Sequence, residues 1–319
     1  MKLYIPPMAS VTDLSFRKVL RYVLGELEDQ VLFATEMISG RGIHHQKNPE
    51  RLKIASEEKN KVVVQLFGHE IPIMVESALQ AEAAGAKIID INMGCPAPKI
   101  IKNGDGAFLM KDPIKAQELC KEIVKVVKIP VSVKCRLGWD KNNINVLDLA
   151  LRLEDIGINF LTIHGRTRSE FYLGQANHEE IAKVVKAINI PVFANGDIDS
   201  PEKAFEVLEI TKAKGIAVAR ACIGNPWIAK EIISAFLGLP FIKPSLEEKL
   251  KIFELHLDII FEDKGEIGVQ IIKKHLKGYL KGFKDCSIWR DKFAKANSYK
   301  EMKDLFNILQ NYSQDFKHS

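Results

Sequence analysis

The sequence of 319 residues has no Cys-x-x-Cys pair, no long apolar run, and no His, Asp and Glu set at metal-ligand spacing. Each absence removes a class of protein. The five cysteines, Cys95, Cys120, Cys135, Cys222 and Cys286, are odd in number and scattered, which argues against a disulfide framework and against a zinc site and fits a reducing compartment. Without a stretch approaching the roughly 20 apolar residues of a membrane span, no membrane partner is expected. The opening Met-Lys-Leu-Tyr-Ile-Pro-Pro-Met carries no signal-peptide pattern, so a cytoplasmic protein is expected. There is also no Gly-x-Gly-x-x-Gly after the first apolar segment, which counts against a doubly wound dinucleotide-binding sheet.

The hydrophobic fraction of 46% and charged fraction of 27% are those of an ordinary globular chain. The net charge of +5 is mild, but its distribution is uneven. Between Gln270 and Lys300 there are nine Lys and Arg residues against two acids, so the basic excess is concentrated near the C-terminus.

One unit recurs along the first 240 residues: an amphipathic helix, a Gly near its end, then a short apolar strand. It appears around Gly85, Gly157 and Gly215, and a second form opens the strand with Pro130 or Pro191. Gly at these points suits a left-handed helix cap, and a strand covered on both faces needs no polar side. Strands are expected at Leu3–Pro6, Leu32–Ala34, Val62–Gln65, Ile88–Asn92, Val131–Lys134, Phe160–His164, Val192–Asn195 and Ile216–Ala219. Helices are expected at Thr12–Leu24, Pro72–Ala84, Pro113–Val127, Asn145–Ile156 and His178–Ile188, with an irregular connection from Glu36 to Glu58. Eight buried strands alternating with helices predict an α/β chain folded as a (β/α)8 TIM barrel. After Gly238-Leu-Pro240 the alternation stops. Ser245 with Glu248 reads as a capping box, and the period is helical from there on. Residues 1–240 are thus expected to form the barrel and 241–319 a small helical domain.

Barrels of this kind place their chemistry at the C-terminal ends of the strands. Those ends read Pro7-Met8-Ala9, Glu36, Gln65, Asn92 with Cys95, Lys134 with Arg136, His164 with Arg166, Asn195-Gly196-Asp197 and Ala219-Arg220. Each alone has an unremarkable structural explanation; together at one rim they point to a single polar site. Cys95 is distinctive because it sits in Gly94-Cys95-Pro96, directly after an apolar strand, whereas the other four cysteines read as structural. Small residues and a cation late in the barrel suit a phosphate, and Gln65 and Asn92 offer paired donors and acceptors to a flat heterocycle. Lys134 can offset negative charge on such a ring. These features suggest a flavin mononucleotide (FMN) site.

The chain is similar to the tRNA-dihydrouridine synthases, most closely their bacterial B-type branch. The resemblance rests on Pro6-Pro-Met-Ala9, Val64-Gln-Leu-Phe-Gly68, Ile91-Asn-Met-Gly-Cys-Pro96, Val133-Lys-Cys-Arg-Leu-Gly138, His164-Gly-Arg-Thr-Arg168, Asn195-Gly-Asp197 and Ala219-Arg-Ala-Cys-Ile-Gly-Asn-Pro-Trp227. Pro6 stands where many members carry Ala, and Ala219 where the family carries Gly. The resemblance implies that Pro7, Met8 and Ala9 line FMN through their backbone, and that Gln65 and Lys134 bond its ring. His164 would approach it from the sixth strand, and Asn195, Gly196, Asp197, Ala219 and Arg220 would hold its ribityl chain and phosphate. It implies further that Cys95 is the catalytic proton donor, that NADPH is the reductant, and that the substrate is D-loop uridine in tRNA; a monomer is expected. Asn92, Arg136, Arg166 and the basic series Lys273, Lys277 and Lys281 would meet the RNA. The three lysines fall at i, i+4 and i+8, one face of a predicted helix, with Tyr279 and Phe283 nearby. The segment Lys99–Met110 is expected to be a flexible closing loop. Two rivals remain open: an FMN barrel acting on a free pyrimidine, similar to dihydroorotate dehydrogenase, and a non-catalytic tRNA-binding barrel.

Overall fold

The computed structural model describes residues 2–44, 52 and 54–315. Nine strands form in chain order: β1 (Lys2–Ile5), β2 (Val31–Ala34), β3 (Ile38–Ser39), β4 (Val62–Phe67), β5 (Ile88–Met93), β6 (Val131–Arg136), β7 (Phe160–His164), β8 (Val192–Asn195) and β9 (Gly215–Ala217). All pairings are parallel. β1 lies between β2 and β9, the order runs back through β8, β7, β6 and β5 to β4, and β2 pairs β4 through Phe33 opposite Val62. That last pairing closes an eight-stranded barrel. The ninth strand, β3, is a two-residue extension on β4.

All eight expected barrel strands are present, several running one or two residues further. Four of the helices expected between strands lie at Ile71–Ala83, Pro113–Val126, Val146–Asp155 and His178–Ala187. Gly85 and Gly157 take φ of 98° and 88°, the left-handed geometry expected of them. The third repeat differs: Lys212 takes the left-handed cap at φ 54°, and Gly215 already belongs to β9. Within the expected irregular connection, Gly40–His44 is helical and Ser56–Glu58 a 3-10 turn, while residues 45–51 and 53 lie outside the described residues.

Two compact units divide the chain, one of residues 1–9 and 29–219, the other of residues 10–28 and 220–319. The first is the barrel. The second combines the helix Leu14–Leu24, which follows β1 in sequence, with all helices beyond Arg220. This differs from a division at residue 240 because Val19, Val23 and Trp227 share an apolar core with Phe253, Leu257, Tyr279, Phe293 and Phe306. Ser245 and Glu248 do form the reciprocal capping box at the start of the helix Leu246–Lys264.

The lysine series does not lie along one helix. The helix Glu266–Ile272 gives way to a 3-10 turn at Lys273–His275, resumes as Leu276–Tyr279, and ends before Lys281. The break follows from what is buried: His275 turns inward and accepts the Gly224 N–H at 3.0 Å, and Tyr279 and Phe283 are core residues rather than surface aromatics.

Candidate active site

Inside the barrel, alternate residues of each strand point at the axis. Toward the N-terminal end these are Leu32, Ile88, Phe160 and Phe193, an apolar plug against which the Tyr4 ring packs edge-on at 6.4 and 6.1 Å. On this plug rests a buried carboxylate. Asp90 accepts from Gln65 Nε2 and Ser132 Oγ, each at 2.6 Å, and from the Tyr4 hydroxyl at 3.4 Å. Burial raises its pKa, and the same three donors and nearby Lys134 counter that rise. Asp90 thereby fixes Gln65, a residue singled out from sequence, by a partner that was not. Its signal was present: Asp90 and Asn92 are the two polar residues of one parity in an apolar strand.

The next layer is the mouth. Gln65 Oε1 accepts from Asn92 Nδ2 at 2.6 Å, and Asn92 Oδ1 accepts the backbone N–H groups of Gly94 at 3.1 Å and Cys95 at 2.9 Å. The loop carrying Cys95 is held from its other side by Arg136, whose Nε donates to the Gly94 carbonyl at 2.7 Å. Cys95 is half-buried, and desolvation raises its thiol pKa against the opposing pull of the Ala97 N–H, Arg136 and Lys134. The group is therefore a protonated thiol at neutral pH. Cys120, Cys135 and Cys222 are fully enclosed, and Cys286 lies half-buried in the helical unit.

Lys134 reaches the same mouth from β6 and donates to Asn195 Oδ1 at 3.2 Å, while Asn195 Nδ2 donates to the Ala217 carbonyl at 2.8 Å. Desolvation first, and the charge of Arg136 second, pull the Lys134 pKa down to about 8; Asp90 works in the opposite sense. The ammonium is thus present at neutral pH and held less firmly than an exposed one. His164 ends β7 with its Nε2 3.3 Å from Arg166, and Gly196 follows β8 with φ 126°. A side chain at Gly196 would collide with Ala176 and crowd the His164 ring.

Arg136 and Arg166 are almost fully enclosed. Besides Gly94, Arg136 donates to the carbonyls of Thr167 at 2.9 Å and Phe171 at 2.8 Å. Arg166 grips Asp197 with two bonds of 2.9 and 2.6 Å and donates to the carbonyls of Leu173 and Gly174. Both arginines thus organise the loops after β5, β7 and β8 instead of presenting a charge to solvent. Asp197 also accepts the Ala176 N–H at 2.8 Å. Pro7 and Met8 are half-buried just beyond β1 and Ala9 is exposed; Ala219 follows β9, and exposed Arg220 opens a 3-10 turn of the helical unit. In that unit Lys273 donates to Gln270, Lys277 is exposed, and the Lys281 carbonyl accepts from Lys249.

The segment 99–110, expected to be flexible, is folded. Pro98–Lys102 is helical and Gly106–Lys111 a 3-10 turn, with Ala107 and Met110 buried. The Ala107 N–H donates to the Cys95 carbonyl at 3.0 Å, and Asp105 is bonded to His69 Nδ1 at 2.8 Å. Any side chain at Gly106 would meet that carbonyl at 2.9 Å, so the close approach requires glycine. No cluster of His, Cys, Asp and Glu suited to a metal occurs among the described residues, and none of their helices is long and apolar enough to cross a membrane.

The family model described as dihydrouridine synthase matches residues 4–318. A relative from Synechocystis sp., named probable tRNA-dihydrouridine synthase 1, is 40% identical over 94% of this chain and 84% of its own. Another, from Pseudomonas syringae pv. tomato and named tRNA-dihydrouridine synthase B, is 37% identical over 97% of this chain and 87% of its own. Among solved structures, histamine dehydrogenase from Rhizobium sp. 4-9 superposes with a TM-score of 0.57 at 12% identity, covering 81% of this chain and 49% of that one. An old yellow enzyme homologue from Zymomonas mobilis gives 0.51 at 14%, covering 77% and 91%. The two solved structures share the barrel fold.

Proposed function

The chain belongs to the dihydrouridine synthase family, and we propose that it reduces the C5=C6 bond of D-loop uridine in tRNA, using FMN recharged by NADPH and Cys95 as proton donor. The observation that carries this reading is the coupling at the mouth: one hydrogen-bonded path from Asp90 through Gln65 and Asn92 to the backbone of Cys95. It joins the residues proposed for the ring to the proposed acid.

The donor set fits a flavin. Gln65, Lys134, His164 and Asn195 lie at strand ends, and the half-buried Lys134 ammonium beside Asn195 suits a flat polar ring able to carry negative charge. Pro7, Met8 and Ala9 would line it through their backbone. Asn195, Gly196, Asp197 and Ala219, with Arg220 next in sequence, would hold the ribityl chain and phosphate. Bound FMN would supply the hydride, taken from NADPH, that C6 of the uracil receives.

The chain's own residues account for the rest. Cys95 is kept protonated by its partial burial, so Sγ–H can deliver a proton to C5, and the resulting thiolate is reprotonated from water. Lys134 offsets charge at the ring. Asn92 and Arg136 hold the Cys95 loop, and Arg166 with Asp197 holds the loop after β7. The helical unit would bind tRNA, with Lys273, Lys277 and Lys281 meeting phosphates from a turn and its flanks rather than from one helix face; their charge would offset the few kcal/mol of taking a base from its stack. We expect a cytoplasmic monomer.

The test is to release and identify the cofactor of the purified protein, then follow its bleaching by NADPH under anaerobic conditions. FMN bleached by NADPH is expected. FAD, or a protein without flavin, would overturn the cofactor assignment.

A further inference from the structure

Three loops at the C-terminal rim of the barrel meet around Trp139, and the reduction chemistry uses none of the residues involved. Lys111 ends the 3-10 turn that packs on the Cys95 loop, Trp139 lies in the connection after β6, and Arg168 in that after β7. Lys111 Nζ stands 4.1 Å from the centre of the Trp139 ring and 5.2 Å from that of Phe108. The Arg168 guanidinium stands 4.6 Å from Trp139 and 5.4 Å from Phe171. Phe108 meets Trp139 edge-on at 5.9 Å. One indole thus carries two cations.

Aromatic faces hold cations in place but do not neutralise them. Among the described residues neither Lys111 nor Arg168 has an ion pair, and Arg168 Nε is buried with no hydrogen-bond partner. The nearby acids are committed elsewhere. Glu170 accepts from the N–H and hydroxyl of Thr167 and lies 3.9 Å from Lys141, and Asp140 accepts from Asn142 and Asn143. The two loops are also tied together: Arg168 N–H donates to the Gly138 carbonyl at 2.9 Å, and Ser169 N–H to that of Trp139 at 3.0 Å. Two cations held against one indole, with no ion pair of their own among the described residues, offer an anion site. Beside it, Phe108, Tyr172 and Leu173 remain exposed at 39%, 52% and 76%, apolar surface that a small inorganic anion would leave uncovered but a nucleotide chain would cover.

We propose that Lys111 and Arg168, carried on Trp139, form a phosphodiester-binding site that grips the tRNA backbone beside the uridine entering the barrel. The site rests on the tRNA reading above. Its place on the segment packed against Cys95 puts it next to the mouth within the barrel unit, so it would orient the strand locally as well as add affinity.

The experiment measures affinity of the full chain for an unmodified tRNA transcript at several salt concentrations. The proteins compared are wild type, Lys111→Gln/Arg168→Gln, Trp139→Leu and Trp139→Phe, each checked for an unchanged melting temperature. The double variant should bind more weakly, with a salt slope shallower by about one to two units. Trp139→Phe should resemble wild type, and Trp139→Leu should lose part of the affinity. Exchanging chloride for inorganic phosphate at equal ionic strength should change wild-type binding little. A double variant with wild-type affinity and slope would overturn the site while leaving the tRNA reading intact, and complete competition by inorganic phosphate would reassign it to a free anion. A wild type that binds no tRNA would overturn the tRNA reading itself.

Discussion

Asn92 accepts the backbone N–H of Cys95 at 2.9 Å, and the same oxygen accepts that of Gly94. The position of the thiol is therefore set by the side chain three residues before it, which is in turn fixed by Gln65 and the buried Asp90. Asn92→Ala would free both N–H groups, at about 1–3 kcal/mol for each that water does not reach. Misplacing the thiol should lower turnover by about 10²-fold. Flavin content should be kept, and alkylation of Cys95 by iodoacetamide should change in rate. Unaltered turnover and alkylation would show that Arg136 and the Ala107 N–H position the loop without Asn92.

The charge on Lys134 is pH-sensitive in a range that binding can read. Its pKa is depressed from the ordinary lysine value to about 8 by burial, so the ammonium is present below that pH and lost above it. Titrating the flavin-free protein with FMN, we expect affinity to fall as pH rises through about 8. In Lys134→Met, which keeps the stem and removes the charge, affinity should be lower below about pH 8 and lose this inflection. The same inflection in both proteins would assign it to another group.

The barrel was legible because each strand announces itself by an apolar run between a helix stop and a polar strand end, as at Gly85 before β5 and Pro130 before β6. β3 was not, since two residues pairing with β4 leave no periodic signal. The mouth residues were legible for the same positional reason, but their partners depend on long-range packing. Nothing in the order of residues says that Arg166 closes on Asp197 or that Arg136 reaches Gly94. The basic series misled in a different way. A spacing of four between lysines describes a helix face only where the helix persists, and the inward turn of His275 ends it.

His275 also makes the stability of the helical unit depend on pH. It is buried against Phe16 and His256, and desolvation pulls its pKa down to about 4; His256, bonded to the Tyr279 hydroxyl, is lowered as well. In the unfolded chain both take up protons near the ordinary histidine value, so the native state is favoured above about pH 6.5 and loses stability as pH falls toward 4. For His275 alone the loss amounts to about 3 kcal/mol. Urea midpoints between pH 7 and 4.5 should decline accordingly, and His275→Asn, which can still accept the Gly224 N–H, should flatten the decline. Parallel curves for the two proteins would remove His275 from this role.

The most direct measurement follows dihydrouridine by mass spectrometry of nucleosides from an unmodified tRNA transcript, incubated with NADPH and either the wild-type protein or Cys95→Ala. The wild type should convert uridine, a gain of two hydrogens in the nucleoside. Cys95→Ala should retain FMN and its reduction by NADPH yet form little or no dihydrouridine, because only the proton to C5 has been removed. Formation of dihydrouridine by Cys95→Ala at the wild-type rate, or none by a flavin-loaded wild type, would contradict the account.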